Sequence, residues 1–100
     1  MFKVKWSQNA LLDLASTLTY LAENFTTKEI TALRTEIKQI ERLLSDNPYV
    51  AKLIPERKEV RKLVVMKYNS LYYLVTNKEI TVVSFFSNRQ HPDKRRLKSS

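Results

Sequence analysis

The residues able to do chemistry gather late in the chain. The segment 84–92, SFFSNRQHP, puts Arg89 and His91, the single histidine, just past a run of strand-forming residues. Upstream, VRKLVVMK supplies Arg61, Lys62 and Lys67, and LYYLVT supplies Tyr72; downstream, DKRRLKSS adds Lys94, Arg95 and Arg96. Facing a polyanion, this set suits phosphodiester cleavage in RNA. There the 2′-hydroxyl attacks the adjacent phosphorus, which calls for a base, an acid and fixed positive charge where the pentavalent phosphorus gains negative charge. Arg61 and Arg89 suit the last task, because a guanidinium matches phosphate bidentately and stays protonated. His91 exchanges a proton near neutral pH, and Tyr72 can stack on a base or donate a hydrogen bond. Arg61, Arg89 and His91 are therefore the candidate catalytic residues, and Lys62, Lys67, Tyr72, Lys94, Arg95 and Arg96 the candidate substrate-binding ones. This chemistry requires no metal and no cofactor. A plainer reading stands beside it: a histidine before Pro92 is ordinary in a surface loop, and Arg57, Lys58, Arg61 and Lys62 are ordinary in a solvated run that protects a sheet edge.

Composition narrows the alternatives. The chain has no glycine and no cysteine. Phosphate-cradling loops need glycine, because the backbone must approach the phosphate at positive φ, so P-loop and dinucleotide fingerprints are excluded. One histidine without cysteine excludes a histidine-rich zinc site and a Cys/His nucleophile pair. No apolar run approaches the ~18 residues of a membrane span, and the N-terminus lacks the apolar core of a signal peptide, so a cytoplasmic protein with no membrane partner is expected. Residues 1–50 carry 6 Lys/Arg and 6 Asp/Glu, whereas residues 51–100 carry 12 and 4, which accounts for the whole net charge of +8. The basic half points to a nucleic acid or an acidic protein partner.

These side chains need elements to hold them. FKVKW (2–6) alternates like a half-buried strand. Ser7 is placed to cap a helix whose apolar stripe is Leu11, Leu14, Ala15, Leu18, Leu21, Ala22 and Phe25. TTKE begins a second helix with Thr26 and Glu29 as a capping box, followed by Ile30, Leu33, Ile37, Ile40 and Leu44 at 3-4 spacing. Pro48 ends it near Asp46. The short link makes the helices an antiparallel hairpin. After a loop with Pro48 and Pro55, strands are predicted at 60–67, 71–76 and 79–87, with Asn69 and Asn77 as the left-handed turn residues. The fold class is α+β in the order β-α-α-β-β-β: the helical hairpin packs on one face of a small, mainly antiparallel four-stranded sheet. Residues 1–97 form one domain and 98–100 a frayed tail.

Alternation then sorts the side chains by face. With Val60, Val64 and Met66, and with Ile80, Val82, Ser84 and Phe86, under the helices, Arg61, Lys67 and Arg89 emerge on the opposite side together with Tyr72. Leu63, Val65, Val83 and Phe85 would form an apolar patch beside those cations, a surface that calls for a cover. A shift of one residue reverses the assignment.

The leading strand, the helical hairpin, EVRKLVV, YNSLYYLV and the closing VVSFFSNRQHP together resemble the RelE/ParE superfamily of toxins from bacterial type II toxin–antitoxin systems, over residues 2–97. The ending is similar to the Arg-Gln-x-Pro ending of many members. The resemblance implies a cytoplasmic toxin whose cognate antitoxin covers the open sheet face. RelE-like members act as metal-independent endoribonucleases on mRNA in the ribosomal A site; ParE-like members inhibit DNA gyrase without nuclease activity. By position, Arg61 and Arg89 match the places where nuclease members carry cations, and His91 falls near a terminal acid or base. The chain departs from the nuclease pattern at Lys67-Tyr68-Asn69 and lacks a clear C-terminal catalytic tyrosine. The expected activity is ribosome-dependent mRNA cleavage, with gyrase inhibition as the alternative and a non-toxic nucleic-acid-binding module as the third reading.

Overall fold

The alternation of FKVKW becomes strand β1 (Lys3–Trp6), and Ser7 ends it by accepting the Ala10 N–H on its hydroxyl at 3.1 Å, which opens helix α1 (Gln8–Asn24). Thr26 restarts the helix. Its hydroxyl accepts the Lys28 N–H, and its own N–H donates to the Glu29 carboxylate at 3.2 Å, a full capping box on α2 (Thr27–Asp46). Four strands follow: β2 (Lys52–Ile54), β3 (Arg57–Val65), β4 (Asn69–Thr76) and β5 (Glu79–Ser87). The structure, a computed structural model, describes residues 1–90. His91, Lys94, Arg95, Arg96 and the 98–100 tail lie outside the described residues.

The two helices cover one face of a mixed sheet in the order β1-β5-β4-β3-β2. β1 pairs with β5 in parallel, and the other pairs are antiparallel. The sheet has five strands where four are predicted. β2 escapes the sequence because it is three residues long and lies between two prolines; only its pairing, Lys52 with Lys62 and Leu53 with Arg61, makes it a strand. Beyond Trp6, β1 no longer covers the edge of β5, and α1 takes over. The Asp13 carboxylate accepts the Phe85 N–H at 3.0 Å and the Ser84 hydroxyl at 3.3 Å.

On α2 the predicted stripe is buried, with Leu33, Ile37, Ile40 and Leu44 all in the core. On α1 the expectation holds only in part: Ala10, Thr17 and Leu21 are buried, while Leu11, Ala15, Ala22 and Phe25 are exposed. α1 is apolar on more than one side, and the sheet takes the side that carries Thr17.

The turns also differ from expectation. Left-handed φ values fall on Met66 (53°), Lys67 (73°) and Lys78 (60°), not on the two asparagines. The β3–β4 ladder closes at Val65–Asn69, so Asn69 is a strand residue, and its side-chain amide donates to the Val65 carbonyl at 3.1 Å. Three non-glycine residues in that region cost roughly 1 kcal/mol or more each.

The face assignment is reversed along β3. Val65 is fully buried and Leu63 packs on the core, so Arg61, Leu63 and Val65 look toward the helices, while Lys62 and Val64 are exposed on the far side. β5 follows the prediction through Ile80 and Val82 and then departs from it. Its register against β4 slips between Tyr72–Ser84 and Tyr73–Val82, leaving Val83 as an extra residue. Phe85 and Ser87, not Ser84 and Phe86, are therefore the buried pair.

Tyr73 shows what this register secures. It is fully buried, and its hydroxyl donates to the Pro48 carbonyl at 2.9 Å and accepts the Ala51 N–H at 3.4 Å, which ties the α2–β2 loop to the sheet. Burial raises its hydroxyl above the ordinary value of about 10, against a smaller opposing pull from the Ala51 hydrogen bond and Arg61. Because the folded state holds this proton more tightly, the associated stability is complete below pH 10 and is lost as pH climbs through the folded-state value. Tyr73→Phe should lower the unfolding free energy by about 1–2 kcal/mol at neutral pH. It should also flatten the alkaline fall of stability, both read by urea denaturation across pH.

Candidate functional site

The sheet face away from the helices, which no described element covers, carries one continuous row, Lys52–Lys62–Tyr72–Ser84, in register across β2, β3, β4 and β5. Next to it lies a second row, Val64–Ser70–Phe86. Val64 is 60% exposed, and Phe86 and Leu74 are half-buried. Between the β2–β3 connection and this face runs a groove of about 510 Å³, with Val60 on its floor and Arg57, Glu56, Lys62, Tyr72 and Ser84 on its walls. An exposed apolar patch bordered by lysine and arginine suits a segment that brings both apolar and acidic side chains. The same groove offers a ring, a hydroxyl and two cations to a nucleotide.

Of the candidate residues, Lys62 and Tyr72 meet in this groove. Arg61 and Arg89 do not join them. Arg61 turns to the helix side, where its Nη1 donates to the Ala51 carbonyl and its guanidinium lies 5.0 Å from the Tyr49 ring centre. Arg89 also lies on that side, because the Val83 bulge brings Phe85, Ser87 and the next residues of the chain into the helix-facing phase. Its guanidinium sits over the Tyr68 ring at 4.0 Å and the Phe25 ring at 4.6 Å. The two arginines belong to different ends of the sheet. Val65 and Ser87 both pair with Asn69, and Arg61 stands four residues back from Val65, about 13 Å along the strands, while Arg89 lies beyond Ser87. Lys67 is exposed in the left-handed turn.

The end of β5 is held by residues that the motif alone did not single out. Gln90 donates from its amide nitrogen to the Ser16 hydroxyl at 2.7 Å and accepts the Thr17 hydroxyl at 3.2 Å; the Tyr20 hydroxyl donates to the Arg89 carbonyl at 3.4 Å. In RQHP the glutamine is thus the docking residue that locks the strand end onto α1. The polar positions Ser16 and Thr17, inside an otherwise apolar helix stretch, are the sequence signal for it. Glu29 lines a small cleft of about 80 Å³ with Tyr68 and Arg89. Its carboxyl is held below the usual value, first by the Thr26 hydroxyl that it accepts at 2.7 Å and to a lesser degree by Arg89.

Neither a family model nor a curated protein sequence matches the chain. Solved structures do. A protein of the chromosomal ParDE toxin–antitoxin system from P. aeruginosa aligns with 87% of this chain and 96% of its own, at 24% identity and a TM-score of 0.70. The conserved hypothetical protein HP0894 from Helicobacter pylori aligns with 89% of this chain and 97% of its own, at 18% identity and a TM-score of 0.61. A copper-bound mutant toxin from Helicobacter pylori aligns with 90% and 98%, at 18% identity and a TM-score of 0.51. These likenesses establish the fold as the RelE/ParE-like α+β arrangement that the sequence resembles.

The stacked position of Arg89 can be tested without reference to any activity. Arg89→Lys keeps the charge and loses the flat guanidinium between two rings. It should lower stability by about 1 kcal/mol in urea denaturation.

Proposed function

We propose that this chain is the toxin of a toxin–antitoxin pair and that an antitoxin segment silences it by lying across the open sheet face. The observation that carries the reading is that face: exposed Val64 with Leu74 and Phe86, beside a groove walled by Arg57, Lys62 and Tyr72, on a fold shared with a protein of a ParDE toxin–antitoxin system. Surfaces of this kind are made to be covered. An acidic, partly apolar segment complements both of its components.

Of the two modes of action that the RelE/ParE resemblance implies, the geometry supports target binding of the ParE-like kind, directed at DNA gyrase. Cleavage as read from the sequence brings the charges of Arg61 and Arg89 to a single phosphate. Each guanidinium is instead engaged at its own end of the sheet, one with Ala51 and Tyr49, the other with Phe25 and Tyr68. Ribosome-dependent mRNA cleavage is the second reading, favoured by the Lys62, Tyr72 and Ser84 groove. In that reading a given phosphate would meet one of Arg61 and Arg89 and not both, His91 would serve as acid or base, and Lys67, Lys94, Arg95 and Arg96 would hold the RNA backbone.

Induced alone in cells, the chain should arrest growth, and co-expression of the protein encoded by the adjacent reading frame should relieve the arrest. Growth without arrest would point to a plain nucleic-acid-binding module, which would bind RNA with steep salt dependence. Purified protein should inhibit supercoiling by gyrase while leaving cell-free translation at full rate; the reverse pattern would establish the nuclease reading. Val64→Glu should weaken antitoxin binding about tenfold or more by calorimetry.

A further inference from the structure

We propose that α1 is the contact surface for a second copy of this chain, pairing antiparallel with the partner's α1 across a two-fold axis. α1 is apolar on two sides. Ala10, Thr17 and Leu21 are buried against the sheet, and an outer stripe of Leu12, Ala15, Thr19 and Ala22 runs along the exposed side at 3-4-3 spacing, with Leu11 beside it. Leu11 and Leu12 are 52% and 62% exposed, and among the described residues neither belongs to the core or to the side chains packed against it. The spacing is that of a coiled-coil seam, and Ala15, Thr19 and Ala22 are small enough to let another helix come close.

Charge decides to what that other helix belongs. Between residues 8 and 24 the charged side chains are Asp13 and Glu23, both acidic, and Asp13 is engaged with the edge of β5. An acidic segment or a nucleic acid meets no cation on α1 and has the basic sheet face to go to. For a second copy, itself at net charge +8, α1 is an element that brings no cations of its own to the contact. Antiparallel pairing adds a further match. With the axis between Ala15 and Ser16, Thr19 meets the partner's Leu12 and Glu23 meets the partner's Gln8. That sets Glu23 over the first turn of the partner's helix, where α1 has no acidic residue of its own to offset the positive end of the helix dipole. A helix of 17 residues is about 25 Å long, so the interface is small and the dimer weak, with a dissociation constant on the order of 100 µM.

Sedimentation equilibrium of the full chain, at concentrations spanning that constant, should follow a monomer–dimer exchange. Leu12→Glu should leave the circular dichroism spectrum and the thermal midpoint unchanged and raise the dissociation constant about tenfold or more, whereas Thr35→Glu, on the exposed side of α2, should not change it. Because the chain has no cysteine, Ala15→Cys beside the axis should form a covalent dimer under mild oxidation, and Thr35→Cys should not. A monomer at every concentration, or an association that Leu12→Glu leaves intact, overturns the proposal.

Discussion

The extra residue at Val83 in β5 is the constraint that sets the layout of the molecule. β5 lies between β1 and β4, so its side-chain phase decides what faces the helices on both sides. Ile80 and Val82 fill the core in one phase; after the bulge, Phe85 and Ser87 fill it in the other. Without the slip, Phe85 would point to solvent and Ser84 into the core. Just past the slip, where β1 has ended, Asp13 reaches from α1 to accept the Phe85 N–H. Bulge, carboxylate and helix position thus depend on one another. Their common consequence is that Arg89 and Gln90 leave the strand on the helix side, one stacked between rings and the other docked on Ser16 and Thr17.

That layout explains how much was legible in the sequence. Both helix caps, the stripe of α2 and the limits of β5 could be read directly, because each depends on residues a few positions apart. The pairing of β2 could not, since three residues between prolines carry no periodic signal and become a strand only against Arg61 and Lys62. Nor could the faces be read. Alternation presumes an unbroken register, β3 carries apolar residues on both sides, and a bulge leaves no mark on composition. Lys62 and Tyr72 are candidates by residue type and do share a groove. Arg61 and Arg89 stand out by residue type as well, but what distinguishes them in the fold is aromatic stacking.

The molecule therefore presents two surfaces of opposite character. The open sheet face is basic and apolar together, the character that an acidic and apolar partner would complement. The outer stripe of α1 is apolar, and the charged residues of that helix, Asp13 and Glu23, are both acidic. Such a division would let one small domain keep two contacts separate without a second domain to carry them. It depends on the helix layer covering only one side of the sheet.

Whether an antitoxin covers the open sheet face can be read from a nuclear magnetic resonance titration of isotopically labelled chain with the protein encoded by the adjacent reading frame. The largest shift changes should fall on Lys62, Val64, Ser70, Tyr72 and Ser84, with α1 unaffected. Changes concentrated on Leu11, Leu12 and Ala15, with the sheet face silent, would contradict that placement of the antitoxin.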